Sequence, residues 1–350
     1  MSPAPSPPTS PAQAGNYSEA FGAVAMAAYE PDETMFARQL LSIQAQTHTA
    51  FVCLISADGN FERVQDIVSR TCGGDRRFKV LGYDDRLGFH HNFERALNAV
   101  PAEARWVALS DQDDYWYPEK LTTLLPYLEE SALVTCQARV VSPEMSTTDL
   151  DPAKGTQTDR KNVGPADLVA NNQVTGALCV FRREVLELAL PFPSLAAPSQ
   201  YHDHWIALCA MAGDGARVKD LVLQDYIQHG GNVVGESRQS LTGSIRNTFR
   251  FVRRYEGNAS PISICRLIYK TGLGWRTLMA RTLLQRLQSD GRSIPADLRG
   301  ALEIYAAPKA LRLIQLLALG WRRKNVPLMR VLEILLGVFV KPISSRNITN

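Results

Sequence analysis

Residues 106–121 place an apolar run directly before a group of carboxylates, in the sequence Trp106-Val-Ala-Leu-Ser-Asp-Gln-Asp-Asp-Tyr-Trp-Tyr-Pro-Glu-Lys-Leu121. It begins with an apolar run, Trp106 to Leu109, that has the length and composition of a buried strand. It closes with Pro118 at a position that suits the first turn of a helix. Where the strand has stopped and the helix has not begun, the chain carries three carboxylates, Asp111, Asp113 and Asp114.

These three carboxylates indicate a metal site. Negative charges on one short turn repel each other unless a cation lies among them, and hard divalent cations take oxygen ligands, so Mg²⁺ or Mn²⁺ is expected. An EF-hand loop is excluded because its sixth position holds no glycine and Glu119 is too near to be its twelfth residue. A solvated acidic turn is the alternative for a bare Asp-x-Asp, but the longer pattern through Trp116, Pro118 and Lys120 is more specific.

The same stretch closely resembles the metal-binding signature of family 2 glycosyltransferases, especially the bacterial rhamnosyltransferase-like branch. The resemblance runs with gaps from about Phe21 to Gly235 and does not cover the C-terminal third as specifically. It implies the GT-A fold, an α/β nucleotide-binding sandwich with a mixed central sheet, followed here by a C-terminal helical region. It also implies a divalent cation that holds the diphosphate of a nucleotide-sugar.

The resemblance places the nucleotide at the ends of the first strands. It implies donor contacts from Tyr29, Glu30, Asp58, Arg86, Asn92 and Asp111. A carboxylate at Asp58 accepts the N3–H of uracil or thymine, which predicts a UDP- or dTDP-sugar. The chain departs from the family pattern, with Glu30 in place of Asn and Ala57 in place of the first Asp of the second loop.

The resemblance also assigns a general base and the groups around it. Asp203, within Tyr201-His-Asp-His-Trp205, matches the family base at the start of a helix, and a helix N-cap is its alternative role. Histidines two residues apart do not share a helical face, so a metal pair is not expected there. His229 is a candidate metal or diphosphate ligand, with a structural histidine equally open. Acceptor contacts are expected from Gly176, in a strand that the resemblance predicts over Asn172–Phe181, and from His202, His204 and Trp205.

Composition divides the chain into a disordered leader (1–16), the GT-A-like domain (17–235) and a basic helical C-terminal region (236–350). The leader lacks the apolar core of a signal peptide, so a cytoplasmic location is expected. The first 235 residues carry 18 Lys or Arg against 29 Asp or Glu, whereas the rest carry 20 against 6. That asymmetry predicts that the basic region meets an anionic membrane surface. The six cysteines show no Cys-x-x-Cys spacing and are expected to be reduced, buried thiols.

Five helices are expected in the basic region, over Ser244–Tyr255, Ile262–Gln288, Pro295–Ala307, Ala310–Trp321 and Pro327–Val340. The most apolar segment, Leu328 to Val340, is well short of the ~20 residues that span a bilayer. Basic residues accompany Leu, Ile and Trp in these helices, as is typical of helices lying on a membrane surface, and a helical cap on the catalytic domain is the equal alternative. The basic residues are Arg250, Arg253, Arg254, Lys270, Arg276, Arg281, Arg322, Arg323 and Lys324. Nucleic acid is not an expected partner, because no recognition motif is present.

Together these features predict an inverting, metal-dependent glycosyltransferase of bacterial surface polysaccharide synthesis. Its donor would be a nucleotide-sugar, with dTDP-rhamnose as the leading candidate, and its acceptor a glycan or a lipid-linked molecule. One alternative is a metal-dependent nucleotidyl- or phosphoryl-transferase, although neither a P-loop nor an Arg-rich motif is present. The other is an inactive peripheral membrane adaptor, which the replacements at Glu30, Ala57 and Ile227 would fit.

Overall fold

The computed structural model describes residues 16–83, 85–141, 155–228, 252–258 and 260–345. The predicted leader and His229 lie outside these residues. The strands in the described part are β1 (Gly22–Ala28), β2 (Phe51–Asp58), β3 (Phe78–Tyr83), β4 (Trp106–Ser110), β5 (Tyr115–Trp116), β6 (Leu133–Val141), β7 (Thr156–Gln157), β8 (Cys179–Arg182) and β9 (Ala216–Ile227).

The helices of the N-terminal α/β part, which comprises the described residues from 16 to 228, are α1 (Glu33–Gln44), α2 (Phe61–Cys72), α3 (Phe89–Asn98), α4 (Lys120–Leu124), α5 (Pro165–Ala170), α6 (Val185–Ala189) and α7 (His202–Ala210). Those of the C-terminal region are α8 (Pro261–Tyr269), α9 (Trp275–Asp290), α10 (Ala296–Ala306), α11 (Ala310–Arg322) and α12 (Leu328–Ser345). A π-helical turn, Lys270–Gly274, separates α8 from α9, so the single helix predicted over Ile262–Gln288 is interrupted.

The N-terminal α/β part contains one mixed sheet with the strand order β3-β2-β1-β4-β8-β6-β9-β5, and β7 pairs with β6. β1 pairs in parallel with β2 and β4, whereas β8 is antiparallel to both β4 and β6. Every residue of β4 is buried, because both faces of the sheet are covered by apolar side chains. The carboxyl ends of β1, β2 and β4 therefore meet at one edge, where open α/β sheets place their ligands.

The C-terminal helices pack on the N-terminal α/β part. Trp275 of α9 and Leu317 of α11 belong to the same buried apolar cluster as Trp205 of α7. Arg276 is buried, and its Nε and Nη2 donate to the carbonyl of Ala170 over 3.0 and 2.8 Å. Burial removes Arg276 from the cations predicted to face a membrane. Arg281 is exposed, and it donates to the carbonyl of Ala306.

Two further sequence predictions have clear outcomes. Free thiols are confirmed, since all six cysteines are unpaired and five of them are buried. The strand predicted over Asn172–Phe181 is shorter, because a 3₁₀ turn at Gly176–Leu178 precedes β8. Within the described residues, no helix has both the length and the apolarity that crossing a bilayer requires.

Candidate active site

Gln112 fixes the acidic loop that follows β4. Its side-chain Oε1 accepts from the Tyr29 backbone N–H over 2.7 Å, and its Nε2 donates to the Tyr29 carbonyl over 3.1 Å. On the other side, Arg38 of α1 donates to the carbonyl of Asp113 over 3.0 Å. The loop is thus held against the end of β1 and the start of α1. Sequence reasoning did not single out Gln112 or Arg38, although Gln112 stands between two of the acidic residues that it did.

Asp111 lies half-buried at the end of β4. Burial raises its pKa to about 7, and the negative charges of Asp113 and Asp203 raise it further in the same direction. The structure therefore brings the acidic loop and the predicted base close enough to interact, although they are far apart in the chain. A cation among these carboxylates would lower the pKa of Asp111 again and remove the repulsion.

The acidic loop fits Mg²⁺ or Mn²⁺ with two carboxylates. Asp111 and Asp113 are both partly exposed, and Mg²⁺ is usually held by one or two carboxylates together with substrate phosphates. In the parts of the chain that the structure describes, no three or more ligating side chains converge on one point. The arrangement is thus suited to a cation that arrives with a diphosphate rather than to an all-protein cage.

Asp114 has a different role from the one predicted. It is fully buried, and its oxygens accept from Gln224 Nε2 over 2.8 Å and from the Ile227 backbone N–H over 3.3 Å. Burial, with Asp111 and Asp113 nearby, raises its pKa well above the usual range. The prediction of Asp114 as a metal ligand is therefore corrected: its side chain holds β9 against the acidic loop.

Lys120 holds the elements next to the acidic loop together from within the core. The ammonium is fully buried, and it donates to the Ala177 carbonyl over 2.6 Å and to Gln224 Oε1 over 2.5 Å. It also lies 3.7 Å from the centre of the Trp116 ring. Burial lowers its pKa to about 8. This residue connects α4, the turn after Gly176 and β9, which explains why a lysine follows the acidic loop at this spacing.

Two of the residues predicted to bind the donor form one small platform. The guanidinium of Arg86 lies 4.0 Å from the centre of the Tyr29 ring, in cation–π contact, and Arg86 is exposed. Glu30, next to Tyr29, is also exposed and has a left-handed backbone with φ of 40°. Aromatic and guanidinium planes at the carboxyl end of β1 offer a surface on which a nucleotide base can stack.

Asp58 and Asn92 lie beneath this platform rather than on it. Asp58 is buried, and its carboxylate accepts from the backbone N–H groups of Leu87 and Gly88 over 2.5 and 2.8 Å. Asn92 is buried too: its Nδ2 donates to the Ser56 carbonyl over 2.9 Å, and its Oδ1 accepts from Arg95. The predicted donor contacts of Asp58 and Asn92 are therefore corrected, because both side chains bond within the protein. Asp58 supports the loop that carries Arg86.

Asp203 is the best-oriented carboxylate of the site. Its Oδ1 accepts from Asn172 Nδ2 over 3.0 Å and from the His204 N–H over 2.6 Å, and its Oδ2 accepts from the Gly176 N–H over 3.1 Å. Burial raises its pKa to about 6, against the opposite influence of those backbone N–H groups. The N-cap of α7 is Tyr201, so Asp203 does not fill that alternative role. A fixed carboxylate with a raised pKa has the properties of a general base.

Gly176 permits the close approach of the turn to α7. A Cβ at this position would lie 2.8 Å from His202 Nε2 and 3.4 Å from Leu109 Cδ1, so a larger residue would displace the histidine. With glycine, the N–H reaches Asp203. The sequence placed Gly176 near the acceptor, and the structure places it directly beside the candidate base.

The other predicted acceptor residues are more deeply placed. His204 is buried and donates through Nε2 to the Leu168 carbonyl over 2.8 Å, while the fully buried Trp205 donates through Nε1 to the Ala189 carbonyl over 2.8 Å. Acceptor contact by these two is therefore corrected: they anchor α7 in the core. His202 stacks on Phe93 with 3.9 Å between ring centres, and burial lowers its pKa to about 3, so it is neutral.

Comparison with known proteins agrees with this geometry. Residues 23–188, from β1 to α6, match the family model for Glycosyl transferase family 2. The comparison with curated proteins gives no match.

Among solved structures, residues 1–349 of TarS from S. aureus, in complex with UDP-GlcNAc, are similar with a TM-score of 0.52 and 16% identity, over 93% of this chain and 88% of that one. The mannosyltransferase PcManGT from Pyrobaculum calidifontis, in complex with GDP-Man and Mn²⁺, gives a TM-score of 0.45 and 16% identity, over 97% and 90%. The likeness to TarS confirms the predicted GT-A-type fold. Residues 23–188 match a glycosyl transferase family 2 domain, and this match indicates a glycosyltransferase.

Proposed function

We propose that this protein is an inverting, metal-dependent glycosyltransferase that moves a sugar from a nucleotide-sugar to a hydroxyl of a glycan or lipid-linked acceptor. Bacterial surface polysaccharide synthesis on the cytoplasmic face of the membrane is the proposed setting. The donor is a dTDP- or UDP-sugar, with rhamnose as the first sugar to test. The observation that carries the proposal is the carboxylate of Asp203, fixed by Gly176 and Asn172 beside the acidic loop at the end of β4.

Asp203 removes the proton of the acceptor hydroxyl. Three hydrogen bonds hold the carboxylate in one orientation, and a pKa of about 6 leaves it ionised at neutral pH while it remains basic enough to accept a proton. The acceptor oxygen forms a bond to the anomeric carbon as the bond from that carbon to the diphosphate oxygen breaks on the opposite side. A single displacement of this kind inverts the anomeric centre, and general-base catalysis contributes roughly 10²–10⁴ in rate.

The acidic loop accounts for the leaving group. A Mg²⁺ or Mn²⁺ ion at Asp111 and Asp113 would neutralise the charge that develops on the departing nucleoside diphosphate. Gln112 fixes the backbone between these two carboxylates. His229 stays a predicted third ligand, outside the described residues.

The platform of Tyr29 and Arg86 is the proposed seat of the base. Asp58 holds the loop that carries Arg86, so Asp58 influences the choice of nucleotide by positioning that loop. The UDP-GlcNAc bound to TarS supports UDP as one of the nucleotides to test.

A nucleotidyl- or phosphoryl-transferase is less well supported. Such an enzyme needs cations around the phosphate that is transferred. Arg38 and Lys120, the cations packed against the acidic loop, donate to the carbonyls of Asp113 and Ala177 instead. Both side chains thus hold the backbone around the acidic loop, which supports sugar transfer over transfer of a phosphate.

The test is a thermal-shift panel of UDP, dTDP, GDP and their sugars, with Mn²⁺ or with a chelator. A ligand that binds only the folded state stabilises it by RT ln(1 + [L]/Kd), so the true donor raises the melting temperature most. We expect a dTDP- or UDP-sugar to do so, and only with the metal. Equal shifts for all nucleotides, or shifts unaffected by chelation, would contradict the proposal.

A further inference from the structure

The α11–α12 hairpin exposes an apolar face that its own fold does not cover. On α12 the outward stripe is Met329, Leu332, Leu336 and Phe339, and Met329 and Phe339 are 75% and 73% exposed. On α11 the outward stripe, at the same spacing, is Leu311, Ile314, Ala318 and Trp321. Surface helices normally turn polar residues outward, so two apolar outward stripes on neighbouring helices mark an interaction surface.

Close glycine contacts fix which face of α12 points outward. A Cβ on Gly272 of the π-helical turn would overlap the carbonyl of Glu333, and a Cβ on Gly337 would lie 3.0 Å from the Leu273 backbone nitrogen. Val331 and Ile334 are buried in the shared core, as are Leu313 and Leu317 of α11. Both helices therefore rest on one core, and their exposed stripes face away from it.

Charge identifies the partner of this face. Between residues 304 and 341 the chain carries seven Lys or Arg and a single acidic residue, Glu333, which pairs with Arg330 over 2.5 Å. Arg322, Arg323 and Lys324 follow the exposed Trp321 at the hairpin turn, and all three are exposed. Apolar stripes bordered by cations, with Trp beside them, match the interface of an anionic lipid bilayer. A second copy of this chain would bring the same cations face to face.

The hairpin is tied to the catalytic base through two adjacent asparagines. Asn171 Nδ2 donates to the Asn325 carbonyl in the hairpin turn over 3.2 Å, and Asn172 Nδ2 donates to Asp203 over 3.0 Å. Asn325 Nδ2 in turn donates to Asp167 of α5 over 2.7 Å. One short segment thus holds both the outward face and the base, so their relative position is fixed.

We propose that the outward face of the α11–α12 hairpin seats the enzyme on an anionic bilayer and holds the acceptor side of its cleft at the level of the lipid headgroups. The acceptor is then a glycan carried by a membrane lipid. The choice of acceptor rests on the proposed function, whereas the membrane contact does not. Since α12 lies along the surface and does not cross it, binding is reversible and weakened by salt.

Flotation of the full-length protein with vesicles tests the membrane contact. Vesicles of phosphatidylcholine with phosphatidylglycerol are compared with phosphatidylcholine alone, without nucleotide, at low and high salt. The variant Arg312→Ser with Arg322→Ser should lower partition into anionic vesicles about 30-fold, which is two cations at about 1 kcal/mol each converted at about 1.4 kcal/mol per tenfold. The variant Met329→Gln with Phe339→Gln should lower it at least about tenfold.

Matched controls lie outside the hairpin. Arg76→Ser and Leu41→Gln change an exposed cation and an exposed apolar residue elsewhere, and both should float like the wild type. Unchanged nucleotide-induced thermal shifts show that each variant is folded. The membrane contact would be overturned if the wild-type protein stayed unbound, or if the hairpin variants floated as well as the controls. It would also be overturned if the wild type were a dimer that the Met329 and Phe339 changes dissociate.

Transfer assays then separate this inference from the proposed function. With an acceptor embedded in anionic vesicles, the hairpin variants should lose transfer in proportion to lost binding, while donor hydrolysis in solution stays at the wild-type rate. Loss of both activities would overturn the hairpin's separate role. Normal flotation without any sugar transfer would support the membrane contact and contradict the proposed function.

Discussion

Replacing Asp203 by Asn separates a proton acceptor from a structural carboxylate. The amide keeps the size of the side chain but does not accept a proton at neutral pH, so turnover should fall by roughly 10²–10⁴. If its oxygen takes the place of Oδ1, the bonds from Asn172 and His204 persist. Its NH₂ group then faces the Gly176 N–H, which loses its acceptor at a cost of about 1–3 kcal/mol.

A second contribution offsets that cost. A carboxyl pKa raised from 3.8 to about 6 corresponds to at most about 3 kcal/mol of unfavourable burial of the charge at neutral pH. The amide is neutral and avoids it, so the two contributions nearly cancel. The melting temperature at pH 7 should therefore stay close to that of the wild type while turnover collapses.

The pH dependence gives an independent check. The folded-state pKa of Asp203 lies above its unfolded value, so the stability that its proton contributes is fully present below about pH 3.8 and is lost as the pH rises through about 6. Asp203→Asn should accordingly gain in melting temperature relative to the wild type as the pH rises from about 4 to about 7. In the wild type, kcat/KM should rise with pH through about 6, as the base loses its proton.

The matched control is Asp297→Asn. Asp297 occupies the same position in the first turn of α10, and its Oδ1 likewise accepts from the following N–H, that of Leu298, over 2.9 Å. This change should leave turnover unaltered. Asp203→Asn enzyme that turns over at the wild-type rate, with donor affinity and melting temperature also unchanged, would refute the assignment of the base.

The remaining predictions concern the loop, the turn and the cap. Asp113→Ala should abolish Mn²⁺-dependent nucleotide binding, measured by calorimetry, with an unchanged melting temperature; retained metal-dependent binding would contradict the cation site. Gly176→Ala should destabilise the protein by about 1–3 kcal/mol in urea unfolding and lower kcat, since its Cβ meets His202. Arg276→Leu should cost at least about 2 kcal/mol in the same assay, because the carbonyls of Ala170, Thr271 and Gly272 lose the hydrogen bonds of the guanidinium. A neutral Arg276→Leu would return that residue to the membrane-facing set.

The backbone of the site was predictable from the sequence because it depends on local patterns. The apolar run before Asp111 forms β4, and the Pro118 turn leads into α4. The placement of the carboxylates after a strand followed from these patterns alone. So did the start of a helix near Asp203, which lies in the first turn of α7.

The direction in which each side chain points was not predictable, because distant residues decide it. Asp114 turns inward only because Gln224 and Ile227 of β9 arrive beside it. The side-chain amide of Asn92 donates to carbonyls near the ends of β1 and β2. Asp113 and Asp114 are adjacent and look equivalent in sequence, yet Asp113 is partly exposed and Asp114 is buried in the core.

The C-terminal helices show the same limit on a larger scale. Their periodicity identified amphipathic helices, but not the face that packs on the N-terminal α/β part. The contact between Gly272 and Glu333 sets the rotation of α12 and turns Met329 and Phe339 outward. Arg276, by contrast, is drawn into the core by the Ala170 carbonyl.

The central claim is transfer of a sugar from a nucleotide to a hydroxyl. Its most direct test incubates the full-length protein with Mn²⁺, bacterial membrane lipid extract and each nucleotide-sugar in turn, and follows both products by mass spectrometry. We expect one dTDP- or UDP-sugar to yield nucleoside diphosphate and an acceptor heavier by one sugar in equal amounts, and Asp203→Asn to yield neither above background. Release of nucleoside monophosphate, attachment of a nucleotide to the acceptor, or no product from any donor would contradict it.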